Sequence, residues 1–444
     1  MLTQPQTFEG KRVVVMGLGR FGGGLGVTRY LLDHGAMVTL SDKASPEELA
    51  EPLEQLGSHS NLSLDLGHHN PSTLKQADVL IVNPAVPRPW EDPFIQAALD
   101  SGVRVTTEIE LAYRQLNPRR IIAVSGSAGK STTSAMIHHG LKELGLPSVL
   151  GGNIGGSILN QIDQITYGTT VVLELSSAMI YWLWCRGSAS PPAPPSVACI
   201  TSYAPNHLDW HADEEHYLAA KQGLLRSLNS SCVQVLPEML SSWSGIGKGH
   251  ARVVEREQAI QGCVVPGPHN AMNAACAVAC LTALHPEIVH EEVADAVRSF
   301  PGLPHRLHLC CEADGVRYYD DSKCTTPQAT LLAIDALGSD VPAGQIHLIA
   351  GGYDKGSDLT QIAQLTPKLA GLYCIGATGP KIHEASRGNA HLCGTLDAAM
   401  GRIADHLRSG DVVLLSPGCA SWDQFQNYEQ RGHRFAQLAK GVSS

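Results

Sequence analysis

The sequence predicts an α/β fold of three domains, each built around a mainly parallel β-sheet. Short apolar runs rich in Val, Ile and Leu recur along the chain, and most precede a glycine-containing loop and then a helical pattern. Such runs are typical of buried parallel strands, and their alternation with helices is typical of βαβ units. The 444 residues are too many for one core. We therefore expect domains at residues 1–117, 118–302 and 303–444.

Composition and charge narrow the class of protein. The chain is 43% apolar and 17% charged, which is typical of a soluble globular protein, and its net charge is −10. An acidic chain is a poor partner for nucleic acid, and no apolar stretch has the length of a membrane span. The 12 cysteines form no CxxC pair. Neither a disulfide framework nor a zinc ribbon is expected, and reduced thiols in a cytoplasmic protein fit best.

The first domain opens with a dinucleotide-binding fingerprint. The strand predicted from KRVVVM at residues 11–16 leads into the glycine pattern GLGRFG at residues 17–22, which includes Gly19 and Arg20. A second apolar run ends at Asp42, twenty residues after the last of these glycines. This context predicts a Rossmann-like domain in which the acid meets a ribose or a base. The alternative is a tight turn that only lets a helix pack against a strand.

The second domain begins with a phosphate-binding loop. The apolar strand Ile121–Val124 breaks into SGSAGKST at residues 125–132, and a helical pattern follows. Glycine loops allow backbone N–H groups to surround an anion, and the helix N-terminus favours negative charge. Lys130 would contact phosphates, and Ser131 or Thr132 would bind Mg²⁺. We predict a P-loop ATP site; the alternative is a glycine turn that happens to precede a lysine.

Polar residues follow the later strands of this domain. Glu174 ends an apolar strand and is placed to meet Mg²⁺, while a glycine-rich loop at residues 151–156 can approach a ligand closely. His207, Asp209 and His211 crowd one loop, and Lys221 follows on a helix. We predict metal or phosphate contact there. The alternatives are a solvent-facing acid and surface or capping histidines.

The third domain repeats the strand–loop–helix pattern after a hairpin signal, which predicts a second Rossmann-like α/β sheet. Before it, Asn270 and Asn273 open a clear helix. Lys323 and Lys355 lie on loops that follow apolar strands, where lysines anchor carboxylates or phosphates. The residues therefore indicate an enzyme that depends on ATP and Mg²⁺ and has two further ligand-binding domains.

An ordered series of motifs resembles the Mur ligase family and spans nearly the whole chain. The motifs are GSAGKSTT, GGNIGG, LELSS, NHLDWH with Lys221, GPHNAMNA, FPGLPHR, DDSKCTT, GGYDKG and SPGCASWDQFQNYEQRG. The last three, with GLGRFG, resemble the members that add D-glutamate to UDP-N-acetylmuramoyl-L-alanine. The phosphate loop departs from the usual family pattern, because Ser127-Ala128 stands where Thr-Asn is usual.

The resemblance implies a cytoplasmic step of peptidoglycan precursor synthesis that makes an amide through an acyl phosphate. The catalytic residues would be Lys130, Glu174, His207 and Lys221. The Mg²⁺ ligands would be Ser131, Glu174, His207 and Lys221, with Lys221 carbamylated. ATP would contact Gly126, Gly129, Lys130, Ser131, Thr132, Asn270, Asn273, Arg306 and Asp321. The uridine nucleotide and D-glutamate would contact Gly19, Arg20, Asp42, Asn153, Lys323, Thr325, Lys355, Ser421 and Tyr428.

Three alternatives remain open. A nicotinamide dehydrogenase would explain residues 17–42 but would leave the phosphate loop unused. A related ligase would add another amino acid, such as L-glutamate, or use another acceptor. A descendant that only binds ligands would require the loss of Lys130 or the metal ligands, and these are present. We expect small-molecule substrates, no nucleic acid or membrane partner, and a monomer.

Overall fold

The computed structural model describes residues 7–18, 23–338, 341–354 and 356–441, and within them it has the predicted three-sheet α/β architecture. Two sheets belong to one compact unit, Met1–Gln258 with Ala275–Ala296, and the third belongs to another, Ala259–Ala274 with Val297–Ser444. The domain boundaries at residues 117/118 and 302/303 stay a prediction. No helix in these described ranges combines the length and the apolar character that a membrane span requires.

The first sheet has five parallel strands in the order β3-β2-β1-β4-β5. Its strands are β1 (Arg12–Met16), β2 (Met37–Asp42), β3 (Leu62–Leu66), β4 (Val79–Val82) and β5 (Arg104–Thr107). Its helices are α1 (Gly23–Asp33), α2 (Ala50–Leu56), α3 (Pro93–Asp100) and α4 (Glu108–Tyr113). The strand order reverses between β1 and β4, which is where open α/β sheets bind ligands. Gly17 and Asn83 follow these two strands and lie side by side.

The second sheet has six parallel strands in the order β11-β10-β9-β6-β8-β7. Its strands are β6 (Ile121–Ser125), β7 (Ser148–Gly152), β8 (Thr170–Glu174), β9 (Val197–Ile200), β10 (Val233–Pro237) and β11 (His250–Val254). The next helices are α5 (Lys130–Glu143), α6 (Ser177–Ile180), α7 (Leu208–His211), α8 (Glu214–Arg226), α9 (Pro268–Leu284) and α10 (His290–Arg298). The central strands β6, β8 and β9 are buried along their whole length, as their apolar sequences require.

The third sheet is mixed, because β12 pairs antiparallel with β13 as the predicted hairpin and the other neighbours are parallel. Its order is β12-β13-β17-β14-β15-β16. Its strands are β12 (His308–Ala313), β13 (Val316–Asp320), β14 (Ile346–Gly351), β15 (Gly371–Ile375), β16 (His391–Gly394) and β17 (Val412–Leu415). Its helices are α11 (Pro327–Leu337), α12 (Thr360–Ala363), α13 (Gly379–Ala385), α14 (Leu396–Ala404) and α15 (Tyr428–Gly441).

The strands that the sequence did not predict are edge strands or lie next to an edge. β3, β7, β10, β11 and β16 were left out, and the prediction of a loop over Gly151–Gly156 was wrong at its start, because Gly151 and Gly152 end β7. Glycines and polar residues weaken the sequence pattern of these strands. Pairing with neighbouring strands in the sheet nevertheless stabilises their extended conformation. A Cβ at Gly152 would overlap the carbonyl of Glu174 on β8, so the glycine permits close pairing.

A buried carboxylate joins the first sheet's last helix to the segment after α6. Glu110 is 2% exposed, and its Oε1 accepts two bonds from Arg114, at 3.0 and 2.7 Å. Its Oε2 accepts a bond of 2.9 Å from Arg186, whose Nη1 also donates to the Val105 carbonyl at 2.8 Å. Charge-assisted bonds to two guanidinium groups offset the cost of burying the acid. This cluster fixes the packing of the first two sheets against each other.

A buried arginine organises the loops at one edge of the third sheet. Arg431 on α15 is 1% exposed and donates to the hydroxyl and carbonyl oxygens of Ser322, at 2.9 and 2.8 Å. It also donates to the carbonyls of Cys419 and Ala420, at 3.0 and 3.2 Å. Burial lowers the pKa of the Arg431 guanidinium to about 10. One planar donor group therefore ties the loop after β13 to the loop after β17.

We predict that Arg431→Lys destabilises the third domain, because an ammonium cannot reproduce the four fork-like bonds and leaves buried carbonyls unsatisfied. The free energy of unfolding should fall by about 2–4 kcal/mol. The matched control is Arg434→Lys on the same helix, where the side chain is exposed and pairs with Asp397. Urea unfolding of both variants tests this, and equal stabilities would contradict the role given to Arg431.

Candidate active site

The phosphate loop has the predicted strand–loop–helix form. β6 ends at Ser125 and α5 begins at Lys130. Gly126 and Gly129 have φ values of +146° and +81°, which residues with a side chain rarely adopt. A Cβ atom at Gly126 would also overlap the Thr201 hydroxyl oxygen. The loop therefore requires these two glycines, and the first-turn N–H groups of α5, including those of Ser131 and Thr132, lie at a helix N-terminus suited to an anion.

Two lysines donate hydrogen bonds to backbone carbonyls of this loop. The Lys130 ammonium donates to the Ser127 carbonyl at 3.2 Å. The Lys221 ammonium, on α8, donates to the Gly126 carbonyl at 2.7 Å and to Ser125 Oγ at 3.1 Å. Burial lowers the pKa of Lys221 well below its usual value, and the charge of Lys130 lowers it further. The lowered pKa favours the neutral amine of Lys221, so Lys130 supplies the positive charge that suits the loop to an anionic ligand.

Glu174 supplies a carboxylate at the end of β8. The residue is 1% exposed, and its Oε1 accepts a bond of 2.9 Å from the side-chain amide of Asn153. Its Oε2 is buried and has no hydrogen-bond partner among the described residues. A buried carboxylate oxygen without a partner is costly, and a hard cation such as Mg²⁺ is one group that would satisfy it. The donor set at this position thus fits a bound Mg²⁺.

His207 is the exposed N-cap residue directly before α7, and it has a positive φ of +53°. Its pKa is lowered, first by burial and then by the charges of Lys130 and Lys221, while Asp209 acts in the opposite direction. The ring is therefore favoured in the neutral form, which is the form that binds metals. Lys130, Glu174 and His207 each lie within electrostatic range of Lys221.

His211 differs from the sequence-based expectation of metal or phosphate contact. The residue is fully buried, with Nε2 2.8 Å from Ser177 Oγ and Nδ1 2.8 Å from His216 Nδ1. Burial lowers its pKa to about 4, and His216 contributes to the shift. Both ring nitrogens are used inside the protein, so His211 packs the loop rather than facing a ligand.

At the edge of the first sheet, Asp42 is already engaged with backbone. Its Oδ2 accepts a bond of 2.8 Å from the Leu18 N–H, and its Oδ1 accepts one of 2.9 Å from the Ala44 N–H. These bonds hold Leu18, just after β1, against the end of β2. Contact of Asp42 with a nucleotide stays a prediction. Gly19 and Arg20 lie outside the described residues.

In the second unit, several predicted site residues cluster near the end of β13. The Asp321 carboxylate accepts from the Leu307 N–H at 3.1 Å and from Ser416 Oγ at 2.8 Å, and burial raises its pKa to about 7. The Lys323 ammonium lies 5.0 Å from the centre of the Tyr428 ring. Arg306, on an exposed turn, interacts electrostatically with Tyr428.

The other predicted residues of this unit lie on two further segments. Thr325 lines a surface depression together with Tyr353, Asp354, Gly418 and Cys419. Ser421 is 2% exposed, and its carbonyl accepts hydrogen bonds from the backbone N–H groups of Gln424 and Phe425. Lys355 lies outside the described residues.

At the start of α9, Asn270 donates to the Pro266 carbonyl at 2.7 Å, and Asn273 donates to Asn270 Oδ1 at 3.3 Å. The Asn270 side chain therefore holds the segment before α9 in place, and its contact with ATP stays a prediction.

Several residues that shape these sites were missed from the sequence. Ser127 and Tyr217 join the phosphate loop to α8, and Arg431 joins two loops of the third domain. The available signal for Tyr217 was its spacing, because it lies four residues before Lys221 and therefore on the same helix face. Ser127 and Arg431 gave no comparable signal, since their partners are distant in sequence.

Comparison with known proteins identifies all three parts of the chain. Residues 11–107 match the Mur ligase MurD-like N-terminal domain, residues 124–245 the Mur ligase middle domain, and residues 305–419 the Mur ligase glutamate ligase domain. Among solved structures, similar folds include UDP-N-acetylmuramate-alanine ligase MurC from Thermotoga maritima, with 18% identity, a TM-score of 0.57 and coverage of 97% of this chain and 99% of that one. MurF from Acinetobacter baumannii has 15% identity, a TM-score of 0.58 and coverage of 98% and 92%.

Curated relatives match over nearly their whole length. UDP-N-acetylmuramoylalanine--D-glutamate ligase from Koribacter versatilis is 32% identical, with coverage of 98% of each chain. The protein of the same name from a Roseiflexus species is 33% identical, with coverage of 98% of this chain and 99% of that one. Together with the three domain matches, this similarity shows that the chain belongs to the Mur ligase family.

Proposed function

We propose that this chain is an ATP-dependent ligase that joins D-glutamate to UDP-N-acetylmuramoyl-L-alanine in peptidoglycan precursor synthesis. The choice of substrates rests on one observation, the similarity over 98% of the chain to proteins named UDP-N-acetylmuramoylalanine--D-glutamate ligase. The site geometry supports the type of reaction, because Lys130 and Lys221 donate to carbonyls of the phosphate loop. In addition, a buried Glu174 oxygen has no hydrogen-bond partner among the described residues.

ATP and Mg²⁺ are the groups that this site would hold. When bound, ATP supplies the phosphoryl group that converts the substrate's terminal carboxylate to an acyl phosphate, and Mg²⁺ neutralises charge on the phosphates. Ser131 and Glu174 would hold one Mg²⁺, and His207 and a carbamylated Lys221 would hold a second. The pKa of Lys221, lowered by burial, supports this, because only a neutral amine can react with carbon dioxide.

The residues of the chain act mainly by positioning and charge. The N–H groups at the start of α5 orient the phosphates, and Lys130 stabilises the charge that develops as two anions approach each other. Asn270, Asn273, Arg306 and Asp321 are the further residues proposed for ATP. The amine of the amino acid then attacks the acyl carbon, phosphate leaves, and a proton is released as the amide forms.

The remaining proposals concern the residues that bind the two substrates, the cellular compartment and the oligomeric state. Gly19, Arg20, Asp42 and Asn153 are proposed for the uridine nucleotide. Lys323, Thr325, Lys355, Ser421 and Tyr428 are proposed for D-glutamate. Burial raises the pKa of Asp321 to about 7, so this carboxyl group, two residues before Lys323, is readily protonated near neutral pH. We also propose a cytoplasmic monomer without a nucleic-acid partner, in keeping with the net charge of −10.

The proposed function predicts that phosphate release from ATP requires both UDP-N-acetylmuramoyl-L-alanine and D-glutamate. The physical reason is that the acyl phosphate forms only on the nucleotide substrate and is consumed by the amine. A panel of amino acids in a phosphate-release assay tests this, with L-glutamate as the matched control. Release with another amino acid but not with D-glutamate would replace the proposed amino-acid substrate, and release with none would reject the proposal.

Lys130→Ala is expected to lower the rate of phosphate release by about 10²–10³-fold, because it removes charge stabilisation from the phosphate loop. Lys142→Ala is the matched control, since this lysine lies in the last turn of the same helix. It should leave the rate unchanged. A Lys130→Ala protein with a rate close to that of the unmodified chain would contradict the proposed ATP site.

A further inference from the structure

Helix α8 contacts the phosphate loop at two points that are one helical turn apart. Lys221 donates to the Gly126 carbonyl at 2.7 Å, and the Tyr217 hydroxyl lies 2.8 Å from Ser127 Oγ. Tyr217 is 1% exposed and Lys221 is 2% exposed. Because residues at positions i and i+4 share one helix face, the same face of α8 sets the position of both loop residues.

The direction of the Tyr217–Ser127 bond follows from counting donors. Ser127 Oγ donates to the Ala204 carbonyl at 2.8 Å and accepts from the Ala204 N–H at 2.9 Å. A serine hydroxyl has one proton and two lone pairs, so the remaining position accepts the proton of Tyr217. Burial raises the pKa of Tyr217, which keeps the phenol protonated as a donor. Ser127 Oγ is then fully satisfied.

The loop residues held by this bond are also joined to the segment after β9. The Ser127 N–H donates to the Ser202 carbonyl at 2.9 Å, and the Ala128 N–H donates to Ser202 Oγ at 2.8 Å. The same segment continues to His207. Ser127 is therefore the point at which the phosphate loop, α8 and the segment that leads to His207 meet.

We propose that Tyr217 is a positioning residue for the phosphate loop, and that it acts through Ser127 to hold the loop in the conformation that binds ATP. The inference rests on the proposed use of this loop for ATP. The hydroxyl touches no reacting atom. Its loss leaves the two Ala204 bonds of Ser127 and the Lys221 contact in place but removes one of the two contacts between the loop and α8. A smaller fraction of molecules then has the binding-competent loop, and the apparent nucleotide affinity falls.

Tyr217→Phe removes one oxygen atom and keeps the ring, which packs against Tyr203 and His211. The matched control is Tyr30→Phe, because the Tyr30 hydroxyl is also hydrogen bonded, to Gln115 in the first domain at 3.0 Å, and lies outside the proposed site. Thermal unfolding of both full-length variants should stay close to that of the unmodified chain, since each loses one hydrogen bond.

The first readout is amide hydrogen exchange without nucleotide. In Tyr217→Phe the Ser127 and Ala128 amides should exchange about five to ten times faster, because their bonds to Ser202 open more often. Tyr30→Phe should leave these amides unchanged. Unchanged exchange at Ser127 and Ala128 in Tyr217→Phe would overturn the proposal.

The second readout is the affinity for ADP, measured by calorimetry. Tyr217→Phe should weaken it by about five to ten times, and the affinity for UDP-N-acetylmuramoyl-L-alanine should not change. In a Ser127→Ala background, Tyr217→Phe should have no further effect, because its partner is gone. Independent, multiplying effects would overturn the proposal, as would an equal loss of affinity for both ligands.

Together with the phosphate-release assay, these readouts distinguish failure of the proposed ligase function from failure of the role proposed for Tyr217. If the unmodified chain releases no phosphate with D-glutamate while Tyr217→Phe still changes exchange and ADP affinity, the proposed function fails and the role of Tyr217 stands. If the unmodified chain is active and Tyr217→Phe matches it in both readouts, the role of Tyr217 fails and the proposed function stands.

Discussion

The packing of α8 against the phosphate loop is the constraint on which the proposed chemistry depends. A glycine-containing loop has many accessible conformations, and its N–H groups can serve an anion only if one conformation is held. Helix α8 holds it by burying the Lys221 amino group against the Gly126 carbonyl and the Tyr217 hydroxyl against Ser127. Asp213 caps the start of α8 by accepting from the His216 N–H at 2.7 Å, which fixes where the helix begins and hence where these two side chains reach.

The charges around this loop are incomplete without ligands. The charge of Lys130 disfavours the protonated form of Lys221, and the buried Glu174 oxygen has no partner in the described part of the chain. Polyphosphate would balance the charge of Lys130, and a divalent ion would satisfy the carboxylate. The third domain uses a buried charge differently: Arg431 bonds to one hydroxyl and three carbonyl oxygens, and so shapes the loops that carry Lys323 and Ser421.

The sequence predicted the parts of this structure that depend on local pattern. The buried strands β6, β8 and β9, the glycine loop and the order of the motifs were identified because apolar runs and glycines act over a few residues. The bonds from Tyr217 to Ser127 and from Arg431 to Cys419, and the packing of His211, were not identified, because they join segments that only the folded sheets bring together. The edge strands β3, β7 and β16 were missed because neighbouring strands, rather than local propensity, define them.

The central claim is that the site activates a substrate carboxylate by phosphorylating it. Isotope transfer tests this most directly. UDP-N-acetylmuramoyl-L-alanine that carries heavy oxygen at both oxygens of its terminal carboxylate is turned over with ATP and D-glutamate, and the released phosphate is analysed by mass spectrometry. The account predicts one heavy oxygen in each phosphate, because that oxygen bridges the carbon and phosphorus of the acyl phosphate and leaves with phosphorus. Amide formation with no heavy oxygen in the phosphate would contradict it.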